Sequence, residues 1–243
     1  MSLLQVASVG KTFSGVVALS DVSFSVGEHE IVGVMGANGA GKTTLFSVIA
    51  GNLRPNSGSI TFDSHRIDGL RPDRISRRGI ARTFQIVRPF GNMTVLENVA
   101  LGAFYGRQRE RSSAAANAKA LAILERLGLA DRANMLARHL TLAGRKRLEI
   151  ARSLATEPRL LMLDEVLAGL TPTEVSAAVD IIKEFHQSHG VTILMIEHVT
   201  RALMSLCHRI VVLHHGQKIA EGTPAEVARD PRTLSAYLGT QVQ

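Results

Sequence analysis

Gly36-Ala37-Asn38-Gly39-Ala40-Gly41-Lys42-Thr43-Thr44 is the stretch from which the rest of the chain is read. It follows G-x-x-x-x-G-K-[ST], the pattern of a phosphate-binding loop. Glycines let the backbone bend into a nest of inward-facing N–H groups. A helix starting where the loop ends adds its unbonded N–H groups and the positive end of its dipole. The Lys42 ammonium is then placed to bridge the β- and γ-phosphates, and the Thr43 hydroxyl to take a site on Mg²⁺. The flanks agree. Ile31–Met35 reads as a buried strand entering the loop, and Leu45–Ala50 as the helix leaving it, closed by Gly51. A plain glycine-rich turn is the competing reading, and the strand–loop–helix setting argues against it.

The chain has 243 residues, enough for one large domain or two unequal lobes with a sizeable core. Apolar residues make up 45%, so disorder is not the default, while 4% aromatics without Trp disfavour a base-stacking single-strand binder. No apolar run is long enough to span a membrane, and the N-terminus lacks a signal-peptide pattern. A single cysteine, Cys207, rules out an internal disulfide and suits a reducing compartment; its apolar helical setting reads as packing. The net charge of +7 permits nucleic acid or an anionic surface as partner, but the arginines between positions 71 and 111 are scattered, as on a solvated face.

Residues 4–9, 22–26 and 60–62 read as an antiparallel patch, with turns at Phe13-Ser14-Gly15 and near Asp63-Ser64. Phe13 is either core packing or an aromatic that stacks on a nucleobase. From about 86 to 157 the pattern is helical, with Ser112 or Ser113 capping a helix that Gly128 ends, and a second helix at Leu148–Ala155. The period then changes. Leu160–Leu163, Val191–Ile196 and Ile210–Leu213 are short apolar runs of buried parallel strands, separated by a helix striped with Val175, Val179, Ile182 and Phe185. A turn at His214–Gln217 folds the last strand back, and Thr223-Pro224 opens a tail helix. The alternation implies a mostly parallel sheet with helices on both faces.

Asp164 and Glu165 stand at the carboxyl end of the strand 160–163, where ligands of open α/β sheets bind. Asp164 has the position of a carboxylate that holds Mg²⁺, and Glu165 that of a general base for water. An acidic helix cap is the plainer alternative. His198 ends the strand 191–196 and can hydrogen-bond a γ-phosphate, although a lone His is more often structural. Gln85 offers an amide oxygen to Mg²⁺ or water, and an ordinary polar loop residue is the reading favoured without further context.

The ordered set Phe13, Gly36–Thr44, Gln85, Leu140–Arg147, Leu160–Glu165 and Ile196–His198 resembles an ABC-transporter ATPase subunit over nearly the whole chain. The resemblance implies an α/β P-loop NTPase. It has a RecA-like parallel sheet core plus antiparallel β subdomain at about 1–85 and 158–243, and an inserted α-helical subdomain at about 86–157. It implies that Phe13 contacts adenine, that Gly36–Thr44 grips ATP, that Gln85 is the Q-loop glutamine and that His198 is the switch histidine. Lys42, Gln85, Glu165 and His198 would form the catalytic set, with Thr43, Gln85 and Asp164 around Mg²⁺. The segments Gly79–Gln85, Pro89–Val99 and Ala220–Pro224 look closer to subunits that energise branched-chain amino-acid uptake. The expected partners are transmembrane permease subunits and a second ATPase subunit, of the same or a different chain, at the cytoplasmic face of the inner membrane. No direct solute contact and no nucleic acid are expected.

Two segments depart from the family pattern. Its signature usually runs Leu-Ser-Gly-Gly-Gln, whereas this chain reads Leu140-Thr141-Leu142-Ala143-Gly144. Thr141 keeps a capping hydroxyl, and the N–H groups around Ala143 and Gly144 can still face a phosphate, so the added Cβ bulk is the main change. After Glu165 the family usually has Pro-Thr and a D-loop ending in Asp; here the run is Val166-Leu167-Ala168-Gly169-Leu170. The rival readings are an importer for urea or another amino acid, a soluble ABC-type ATPase acting on nucleic acid, and a catalytically silent scaffold.

Overall fold

The computed structural model describes residues 2–84 and 89–238. In chain order its elements begin with strands β1 (Ser2–Phe13), β2 (Val16–Gly27) and β3 (Ile31–Met35), helix α1 (Lys42–Ile49), β4 (Ser57–Phe62) and β5 (His65–Arg66). Helix α2 (Pro72–Arg77), β6 (Ile80–Arg82), α3 (Val95–Tyr105), α4 (Ser113–Arg126), α5 (Leu142–Ala155) and β7 (Leu160–Asp164) follow. The chain continues with α6 (Pro172–His189), β8 (Thr192–Ile196), α7 (Thr200–Leu206), β9 (Arg209–His214), β10 (Gln217–Gly222), α8 (Pro224–Arg229) and α9 (Pro231–Leu238). Two compact units divide it: residues up to Ile75 together with those from Thr192 onward, and Ser76–Val191.

The first unit holds the antiparallel sheet β2-β1-β4-β5. Its register puts Leu4 opposite Val26 and Phe62, and Val6 opposite Phe24 and Ile60. All six side chains are buried, so one face of the sheet is a continuous apolar layer. Each contributes roughly 1.5–3 kcal/mol as an upper bound. The same unit contains β3, which runs parallel to both β8 and β9, with β10 antiparallel on β9. Every residue of β3 and β8 is buried, as expected of parallel strands covered on both faces. Helix α7 packs close: a Cβ on Gly33 would lie 2.9 Å from Cys207 Sγ and 3.0 Å from Leu203 Cδ2. Cys207 is therefore a packing group, and burial pushes its thiol up to about 12.

The second unit pairs β6 with β7 in parallel and carries α3, α4, α5 and α6. Thr94 caps α3 with a reciprocal Glu97 contact, Ser112 caps α4, Thr141 caps α5, and Thr171 with Glu174 boxes α6. Asn98, fully buried, ties down the chain before α3. Phe90 N–H donates to its Oδ1 at 2.9 Å, and its amide donates to Phe90 O at 3.1 Å and Thr94 O at 2.8 Å.

Two expectations change in the structure. The helix expected from Leu148 begins at Leu142, because Arg145-Lys146-Arg147 breaks the apolar period of its first turns. The tail is two helices, since Pro231 cannot continue α8 and Asp230 turns extended before it.

Candidate functional site

Strand β3 delivers the chain directly into the loop 36–41. Gly41 is the N-cap of α1 with φ 101°, a left-handed position where a side chain is strained. A Cβ there would also lie 2.6 Å from Ala18 O. The loop is closed by Ala40 N–H to Ala37 O at 3.1 Å and anchored by Gly216 N–H to Ala40 O at 3.1 Å. Lys42 is only 5% exposed, and its ammonium donates to Gly36 O at 2.7 Å and Ala37 O at 3.0 Å.

No side chain caps α1 or α7, whereas Ser or Thr caps α3, α4, α5, α6 and α8. The first N–H groups of α1 are thus left for a ligand, and its first turn holds no acidic residue to repel an anion. Ala37, Asn38, Gly39 and Thr43 are exposed around these donors, and Thr44 is half-buried. A loop with a stored cation and open amides is built for a polyanion.

His198 belongs to the same unit. Val34 on β3 pairs in register with Ile196 on the parallel β8, so Gly36 and His198 each follow their paired residue by two positions. Phe13 ends β1 at 41% exposure with Lys11 Nζ 5.1 Å from its ring centre, so it is not a core residue. Val16 and Val17 beside it are also exposed, leaving an aromatic–aliphatic patch at the β1–β2 end.

In the second unit β7 ends at Asp164, which is 1% exposed. Its Oδ2 accepts from Arg82 Nη2 at 2.7 Å, and its N–H donates to Thr83 Oγ1 at 3.0 Å. Thr83 is held in turn by its own N–H on Met162 O at 2.9 Å. Glu165 is half-buried and lies at φ 51°. A carboxylate side chain at a left-handed backbone position is a strained placement of the kind found at working sites. Its carbonyl accepts from Lys146 Nζ at 2.9 Å. Gln85 lies outside the described residues.

Thr141 Oγ1 accepts from Gly144 N–H at 3.2 Å, so the first turn of α5 is capped despite its unusual sequence. Leu142 is 52% exposed there, and Ala143 is half-buried behind it. A Cβ added to Gly169 would lie 3.3 Å from Leu142 Cδ2, so the leucine lies over the segment that follows Glu165.

Sequence reasoning missed the charged frame beneath Asp164 and Glu165. Arg82 counted only toward surface charge, and Lys146 was given no role of its own; both prove buried or nearly so. Glu149, 7% exposed, accepts from Phe84 N–H at 2.6 Å. The available signal was the charge of Lys146 and Glu149 on a helix that also carries Leu148, Ile150 and Ala151. Burial pushes the Glu149 carboxyl above its ordinary 4.5; the Phe84 N–H, Arg152 and Lys146 offset this only in part, and Asp164 adds to it. A carboxyl raised on folding contributes stability below its unfolded value and loses it as pH rises through the folded one. Glu149→Gln, which keeps the acceptor for Phe84, is therefore expected to raise the melting temperature at pH 7 by roughly 0–3 °C. The gain should vanish below pH 4.5. Thermal melts across pH 4–8 check this, and a large drop at pH 7 would show that Glu149 acts as a needed anion.

Comparison with known proteins places these features in context. Residues 19–168 match the family model described as ABC transporter, and residues 217–242 match that of the branched-chain amino acid ATP-binding cassette transporter. The high-affinity branched-chain amino acid transport ATP-binding protein LivG of Salmonella typhimurium is 40% identical, over 98% of each chain. The crystal structure of the ADP conformation of an ATP-binding cassette of an ABC transporter superposes with a TM-score of 0.88 at 31% identity, covering 99% of this chain and 100% of that one. A dimeric post-hydrolysis cassette bound to ADP and Pi is similar at 25% identity and a TM-score of 0.83, covering 91% of this chain and 98% of that one.

Proposed function

The chain belongs to the ATP-binding subunits of ABC transporters, of the branched-chain amino acid type, and from that premise we propose how its own residues run the cycle. The observation that carries the proposal is the uncapped N-terminus of α1 with Lys42 stored on the Gly36 and Ala37 carbonyls. ATP lays its β- and γ-phosphates along the N–H groups of residues 39–44. Lys42 then exchanges two neutral carbonyl partners for charged phosphate oxygens, a stronger contact. Adenine stacks on Phe13, whose ring is exposed for it.

A hydroxyl and a carboxylate form a donor set that suits Mg²⁺, which keeps its waters and takes one or two protein oxygens beside the phosphates. The Thr43 hydroxyl and Asp164 carboxylate would supply them, and the ion would neutralise phosphate charge. Arg82, 8% exposed, fixes the Asp164 carboxylate in one orientation. Glu165 accepts a proton from the water that attacks the γ-phosphorus, and the bond to the ADP oxygen breaks. Lys146 holds the Glu165 carbonyl and so sets where that carboxylate points. His198 hydrogen-bonds the γ-phosphate, and Gln85, which lies outside the described residues, would offer its amide oxygen to Mg²⁺ or the water.

A second ATPase subunit completes each site with the first turn of its signature helix. In this chain that turn presents Leu142 where the family has glycine, so its N–H groups meet a partner's nucleotide less closely. We infer a pair of two different chains, with the second supplying the more regular signature. The ATP-closed pair works against transmembrane permease subunits at the inner face of the membrane. No described helix is long and apolar enough to cross a bilayer. The segment Phe90–Leu96, pinned by Asn98, is the proposed permease socket: Phe90 is 49% exposed beneath the Arg152 guanidinium, 4.7 Å from its ring centre.

Affinity purification of the full chain from its native membranes tests this. The expected result is co-purification of two permease subunits and a second ATPase, with phosphate release stimulated by a branched-chain amino acid and its binding protein. Recovery of the chain with nucleic acid or ribosomes instead would contradict it.

A further inference from the structure

Strand β6 pairs with β7, and the ladder runs one residue past the strand, where Thr83 N–H donates to Met162 O at 2.9 Å. Successive residues of a strand turn their N–H groups to opposite sides, so that of Phe84 points away from β7. Among the described residues no strand pairs with β6 on that side. The Glu149 side chain of α5 stands in for one: its Oε1 accepts from Phe84 N–H at 2.6 Å. The Phe84 ring is 52% exposed, with the Arg82 guanidinium 5.3 Å from its centre, so core packing does not hold this residue. The bond to Glu149 fixes its backbone instead.

The carboxylate that makes this bond is itself held. Glu149 is buried, and spacings of three and four residues set it on one side of α5 with Leu142, Lys146 and Arg152. Arg152, one turn on, attracts its charge, and Lys146, one turn back, does the same. Lys146 also holds the Glu165 carbonyl at 2.9 Å, and Leu142 lies over Gly169. All of these residues belong to the second unit. One helix face therefore fixes both the backbone at Glu165 and the residue that precedes position 85. We propose that Glu149 is a positioning residue for ATP hydrolysis: it sets the direction in which the chain leaves Phe84 toward Gln85, in step with the Lys146 hold on Glu165. The proposal rests on the roles given to Glu165 and Gln85 above. Glu149 acts through the Phe84 amide, and its acceptor oxygen rather than its charge is what the role requires.

Steady-state ATP turnover and ATP affinity, measured on the same purified transporter, test this. Glu149→Leu and Glu149→Ala remove the acceptor, with and without filling the space, and Glu149→Gln keeps it. Both variants without the acceptor are expected to lose at least about tenfold in kcat, with ATP affinity within about threefold of the parent. Glu149→Gln should keep kcat within about threefold. Thermal melts of the nucleotide-free chains identify any variant that does not fold, and the other variant without the acceptor then carries the test. Near-parental kcat in a folded variant without the acceptor would overturn the proposal and leave the nucleotide reading standing. Glu149→Gln as slow as Glu149→Leu would overturn it too, by showing that the bond to Phe84 is not what matters. Parallel loss of ATP affinity and kcat would overturn it by showing a general structural role. Failure of the parent itself to bind ATP would instead bring down the nucleotide reading and this proposal together.

Discussion

Glu165→Gln is expected to lower steady-state ATP turnover by about a hundred- to ten-thousand-fold while ATP affinity stays within a few-fold of the parent. The amide keeps the size and hydrogen-bonding reach of the carboxylate but cannot take a proton from water. The left-handed backbone at residue 165 and the Lys146 contact to its carbonyl do not depend on the side chain. The variant should therefore fold as the parent does. Phosphate release and nucleotide binding, measured on the same transporter preparation, separate the two effects. Turnover within tenfold of the parent would remove Glu165 from the role of base.

Lys42→Ala is expected to weaken ATP binding by roughly 30- to 1000-fold, the loss of a buried charged contact worth about 2–4 kcal/mol. It carries a second consequence specific to this loop. The buried Gly36 carbonyl loses the Lys42 donor, while Ala37 O keeps the Ala40 N–H, and a buried acceptor left unmade costs about 1–3 kcal/mol. The nucleotide-free variant should therefore also unfold at lower denaturant concentration, with an unchanged slope. Lys42→Arg, which keeps the charge, should recover more of the stability than of the affinity, because its planar fork does not match a point-charge site. Unaltered ATP affinity in Lys42→Ala, read by calorimetry, would contradict the loop's assignment.

The strands and the glycine-rich loop between β3 and α1 were legible because their determinants are local. Ile31–Met35, Leu160–Leu163 and Val191–Ile196 are uninterrupted apolar runs, and the glycines and Lys42 sit at fixed spacing. Helix caps at Ser112, Thr141 and Thr223 were equally local. The frame around Asp164 was not. Arg82 and Asp164 are 82 residues apart in the chain, and nothing in either neighbourhood says that they pair. The start of α5 was hidden for a related reason. Lys146 and Glu149 look like solvent-facing residues in sequence and become buried only because Glu165 and Phe84 supply partners from elsewhere in the chain.

The most direct test is a crystal structure of the Glu165→Gln chain with MgATP. Lys42 Nζ is expected to have left the Gly36 and Ala37 carbonyls for the β- and γ-phosphate oxygens. The phosphates should lie on the N–H groups of residues 39–44, with Mg²⁺ between the γ-phosphate, Thr43 and Asp164. Nucleotide bound elsewhere, with Lys42 still on those two carbonyls, would contradict the account.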